Sequence, residues 1–131
     1  MAGIPTYDFS INSLIGDGSI FKGEFHGKGP FRVDGSFIGK IDSFGKVYVG
    51  KTGNAEGCII AKNVTVGGTF KGDIFAEDNV IVLRTGTIIG NIYSCSVNME
   101  DGVIFDGECR ILSKDDMKEL IDIKKNEKFT F

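Results

Sequence analysis

The chain has 131 residues, 19 of them glycine, with two prolines, no tryptophan and a formal net charge of −3. Glycine is therefore about 14%, near twice the usual share of roughly 7%, yet it lacks the every-third spacing of collagen. The 41% hydrophobic and 25% charged residues are not those of a disordered chain, the acidic balance argues against nucleic acid as a partner, and no apolar run reaches the roughly 20 residues that cross a bilayer.

Residues 1–11 contain Pro5 and precede any repeat, so they read as an N-terminal tail. No signal peptide opens the chain, and three cysteines at no metal-ligand spacing point to a reduced, cytoplasmic setting.

From residue 12 to 112 the chain repeats. Six segments share an apolar-x-Gly-x-apolar core: Phe21–Phe25, Phe37–Ile41, Ala55–Ile59, Phe70–Ile74, Ile88–Ile92 and Phe105–Cys109. Their central glycines, Gly23, Gly39, Gly57, Gly72, Gly90 and Gly107, lie 16, 18, 15, 18 and 17 residues apart. Two residues after each core stands Gly27, Ser43, Ala61, Ala76, Ser94 or Ile111, all small but the last. A second apolar pair follows, as in Phe31/Val33, Val47/Val49, Val64/Val66, Val80/Val82 and Val97/Met99, and then a glycine turn.

Alternation at period two signals strands with one buried face. Two strands and two corners in about 17 residues make one circuit of a parallel β-solenoid, with coils about 4.8 Å apart and a rod of about 29 Å for six. The expected fold is an all-β, single-stranded parallel β-helix with short non-solenoid tails. In this reading the inward glycines leave room where the tube is narrow. Asn63 and Asn79 join the corner glycines in supplying positive φ.

Residues 113–131, without glycine, form a C-terminal tail. Ser113 before Asp115 and Asp116 reads as a helix N-cap, predicting a short helix over 114–124. Met117, Leu120 and Ile121 share one face of it, which could cap the end of the rod.

Catalytic, cofactor and metal sites are not indicated. His26 is the one histidine, which excludes a three-imidazole zinc site, and it reads as an exposed surface residue. Gly67-Gly68 and Gly16-Asp-Gly18 lack the Gly-Lys-Ser/Thr of a phosphate loop. Cys58 faces out, Cys95 lies near a corner and Cys109 faces in, and none has an evident activating neighbour.

The surface offers two kinds of contact. Ile60, Phe75 and Tyr93 fall in one outward row and predict an exposed apolar strip for a lateral or partner contact. A solenoid's terminal coils also have unpaired backbone and a cut-open core. Leu14, Ile20, Phe21 and Phe25 at one end, and Phe105, Ile111 and Leu112 at the other, predict end-to-end polymerisation. The alternative is a monomeric or small-oligomer binding module that holds a protein through the strip.

The coils resemble those of the bactofilins, bacterial cytoskeletal proteins, from Ile15 to Leu112. The likeness lies in Val33-Asp-Gly-Ser-Phe-Ile-Gly39, Val64-Thr-Val-Gly-Gly-Thr-Phe-Lys-Gly-Asp-Ile74 and Gly86-Thr-Ile-Ile-Gly-Asn-Ile92. The resemblance implies a right-handed β-helix of triangular section and no enzymatic activity. It implies nucleotide-independent, non-polar filaments joined head-to-head and tail-to-tail, with Phe105 at the position of an apolar last-coil residue that supports polymerisation. It further implies scaffolding of cell-wall or cell-shape proteins in the cytoplasm, at the inner face of the cytoplasmic membrane. Some members reach that membrane through an N-terminal peptide, for which Ile4, Tyr7 and Phe9 are the candidates.

Overall fold

The structure, a computed structural model, describes residues 13–126. Ten strands precede one helix: β1 (Ser13–Ile15), β2 (Ile20–Gly27), β3 (Phe31–Val33), β4 (Ser36–Ser43), β5 (Lys46–Val49), β6 (Asn54–Val66), β7 (Thr69–Val82), β8 (Thr87–Ser94), β9 (Val97–Met99), β10 (Ile104–Ile111) and α1 (Lys114–Lys125). All strand pairings are parallel and join the ten strands in one sheet. The sheet winds as a β-solenoid of six coils, each a short strand followed by a longer one. β6 and β7 each run from the long side of one coil into the short side of the next.

Equivalent repeat positions stack directly. Phe31, Val47, Val64, Val80 and Val97 form one apolar ladder, and Phe37, Ala55, Phe70, Ile88 and Phe105 form another. The interior members of these rows are almost wholly buried and fuse into one column along the rod. The small residues after each core have a physical reason as well. Ser43, 2% exposed, donates through Oγ to the Gly29 carbonyl at 2.9 Å and accepts from the Gly45 N–H at 3.1 Å. A buried hydroxyl there ties down the corner of the coil.

The central glycines are bends. All six have φ between +125° and +149°, a region that L side chains rarely adopt. They also stack on one another, and at Gly72 a Cβ would overlap the Gly57 carbonyl oxygen. Backbone conformation and the close approach of coils therefore select glycine here, rather than a narrow lumen. Each bend divides the long strand, so a coil presents three extended sides. Asn63 and Asn79 do not have positive φ; among the described residues only glycines do. Both lie within strand and pair with each other across a local register shift after Ala61.

α1 begins at its N-cap Ser113, whose Oγ accepts from the Asp116 N–H at 3.2 Å. It runs to Lys125, one residue past the expected range, with Lys124 and Lys125 near its negative dipole end. It packs on the outer side of β6 and β7 instead of closing the end of the rod.

Candidate assembly surfaces

The outward row of Ile60, Phe75 and Tyr93 exists, in register across β6, β7 and β8. The Phe75 and Tyr93 rings stack at 4.9 Å with 3° between their planes. The row is not an exposed strip, however. Ile60 and Phe75 are 1% and 2% exposed because α1 lies over them and buries Met117 and Ile121 against them. The same chain thus supplies the partner for its own lateral row.

Polar contacts hold the helix at both ends. Lys114 Nζ lies 3.0 Å from Asp78 Oδ1, and this hydrogen-bonded carboxylate raises the lysine pKa. At the other end, Lys40 donates to the carbonyls of Lys124 at 2.9 Å and Lys125 at 3.3 Å. A buried ammonium thus meets carbonyls at the C-terminal, negative-dipole end of the helix. Lys125 reaches Asp42 at 3.8 Å and sits 3.9 Å over the ring of Phe44. Leu112, expected on the end of the rod, packs into this helix cluster instead, because the chain turns down the side of the solenoid after β10.

Among the described residues the two ends are open. There β2 pairs only with β4, and β10 only with β8, so each leaves one edge of backbone without a neighbouring strand. At the first coil Leu14, Ile20 and Phe21 are 54%, 74% and 37% exposed. Phe25 is half-buried, edge-on to Phe31 at 4.2 Å. At the last coil Ile111 is 58% exposed, and Phe105 is half-buried as the last aromatic of the column.

Ile104, 63% exposed, belongs with these residues but is absent from the sequence-derived set. A signal for it exists. Its repeat position is occupied in successive coils by Ile20, Ser36, Asn54, Thr69, Thr87 and Ile104. This position is polar in every interior coil and isoleucine only in the two terminal ones.

The remaining candidates are surface groups. His26 is exposed, with Nδ1 3.5 Å from Asp42 Oδ2. Cys58 and Cys95 border the helix cluster. Cys109, expected to face inward, stacks on Ile92 but is exposed because no coil covers it, and partial desolvation raises its thiol pKa. Among the described residues no group of three His, Cys, Asp or Glu could hold a metal ion, and no helix is long and apolar enough to cross a membrane. Ile4, Tyr7 and Phe9 lie outside the described residues.

Among the described residues, a rod whose side is covered by its own helix and whose apolar column is cut open at both ends defines a β-solenoid with most of its exposed large hydrophobic side chains at its termini. The family model described as "Bactofilin: Polymer-forming cytoskeletal" matches residues 13–110, and the chain belongs to that family of structural, non-enzymatic proteins. Bactofilin BacP of Myxococcus xanthus (strain DK1622) is 27% identical over 96 residues, covering 73% of this chain. Those residues are 40% of BacP, so the chain spans less than half the length of that relative. The solid-state NMR structure of the cytoskeletal bactofilin BacA is 29% identical, with a TM-score of 0.69, covering 76% of this chain and 95% of BacA's. The cryo-EM reconstruction of Thermus thermophilus bactofilin double helical filaments shares the fold at 23% identity and a TM-score of 0.64, covering 77% of this chain and all of that one.

Proposed function

We propose that this chain is a structural protein that assembles end to end, without nucleotide, into cytoskeletal filaments. N-terminal ends meet N-terminal ends and C-terminal ends meet C-terminal ends, which makes the filament non-polar. The observation that carries this reading is the pair of open strand edges, each flanked by an exposed isoleucine where interior coils carry polar residues. Burying such side chains between copies stabilises a junction by about 25 cal/mol per Å² of apolar surface, and new strand pairing satisfies the edge backbone.

In the cell the filament serves as a cytoplasmic scaffold at the inner face of the cytoplasmic membrane, positioning cell-wall or cell-shape proteins. Ile4, Tyr7 and Phe9 supply the membrane contact. The family match and the cytoskeletal relative BacA support the cytoskeletal part of this reading.

The test is sedimentation of purified protein beside Phe105→Arg. The wild-type chain pellets as polymer, whereas a guanidinium at the open end of the column keeps the variant small and soluble. Equal pelleting would remove the C-terminal end from the interface.

A further inference from the structure

The two open ends differ in charge. The first coil, residues 13–28, carries Asp17, Glu24, Lys22 and Lys28, a net charge of zero with His26 neutral. The last coil, residues 97–112, carries Glu100, Asp101, Asp106 and Glu108 against Arg110 alone, a net charge of −3. These five side chains are all exposed on the final coil. Arg110 Nε lies 3.9 Å from Glu108, and its charge is already included in the net −3.

The apolar faces also differ. Phe21 stacks on Phe37 at 5.2 Å, and Phe25 meets Phe31 edge-on, so the first coil ends in an aromatic layer already ordered for contact. The last coil contributes Phe105 alone of that kind, with Asp106 and Glu108 on either side of Gly107 along the open edge of β10.

From this asymmetry we infer that the N-terminal end is the constitutive self-contact and the C-terminal end an ionic-strength-gated one, so that the assembly unit is an N-to-N dimer. The inference rests on the end-to-end reading above. Joining two C-terminal faces brings both acidic sets to one junction, where like charges oppose association until salt screens them. Joining two N-terminal faces brings together neutral coils and aromatic surface, with little dependence on salt.

Sedimentation velocity on the full chain at about 0.01 M and about 1 M salt tests this, since the screening length falls from about 30 Å to about 3 Å between them. The low-salt species is a dimer and the high-salt species a polymer. Asp106→Asn combined with Glu108→Gln changes only exposed side chains. It lowers the critical concentration for polymer at low salt by at least about tenfold, a factor that like-charge removal at an interface readily supplies. Ile20→Glu and Ile104→Glu alter the same repeat position at opposite ends, both on exposed side chains. At low salt Ile20→Glu is a monomer, while Ile104→Glu remains a dimer. If polymer length ignores salt and the neutralised variant matches wild type, the gating fails while end-to-end assembly stands. If the two glutamate variants behave alike and no discrete dimer forms, the ends pair head-to-tail and the inference is overturned. A monomer under every condition would overturn the end-to-end reading itself.

Discussion

A graded series of glycine-to-alanine changes separates the two reasons given for the glycine ladder. Gly16 has neither a positive φ nor any atom within 4 Å of a would-be Cβ, so Gly16→Ala shifts stability by no more than about 0.5 kcal/mol. Gly23 has φ +144°, but it lies in the first coil and its Cβ would meet only the Phe21 ring at 3.5 Å. Gly23→Ala therefore costs backbone strain alone, about 1–3 kcal/mol. Gly72 has φ +129°, and its Cβ would overlap the backbone of Gly57. That overlap forces two coils apart, and each weakened buried ladder bond adds about 1–3 kcal/mol to the strain. With one such bond weakened, Gly72→Ala thus costs about 2–6 kcal/mol in total. Thermal unfolding in a background that carries both Ile20→Glu and Phe105→Arg, one change at each end of the rod, removes the contribution of assembly to apparent stability. Roughly 3–6 °C of Tm per kcal/mol is expected for a domain of this size. Equal losses at Gly23 and Gly72 would refute the argument from coil-to-coil approach, leaving φ alone as the cause.

Three further changes have defined outcomes. Phe70→Ala removes a ring that is fully buried in the column and lowers stability by about 3–5 kcal/mol, read from the denaturant midpoint. Met117→Asp places a charge where the native side chain is 0% exposed, and it releases α1. Amide exchange of 114–125 then accelerates while the strand amides of the interior coils keep their protection. Ser113→Ala deletes the oxygen that accepts from Asp116 and weakens the helix by about 1 kcal/mol, visible as faster exchange in its first turn.

The repeat is legible in the sequence because a solenoid writes its geometry into every circuit. Positions separated by one coil must stack, so Gly72 over Gly57 and Val82 over Val66 can be read from spacing alone. What spacing cannot reveal is why a position is small. An inward slot and a positive-φ bend both select glycine, and only the backbone angles distinguish them. The position of α1 is hidden for a similar reason. Periodicity shows that Met117 and Ile121 share a face, and alternation shows that Ile60 and Phe75 point outward, but neither pattern names the other as its partner. Two apolar faces without partners in one chain are mutually explanatory, and their joint burial turns an expected exposed strip into an internal contact. Ile104 is the converse case, legible once its coil equivalents are aligned, since only the terminal coils depart from polar residues at that position.

The central claim is that the open ends of the rod join to form a filament. Fibre diffraction from aligned assemblies of the purified, nucleotide-free chain tests it most directly. End-to-end stacking predicts a meridional reflection near 4.8 Å from coils piled along the filament axis, since the strands run around that axis and not along it. A 14.2 kDa monomer that yields no filaments at high concentration, or filaments whose 4.8 Å reflection lies on the equator, would contradict it.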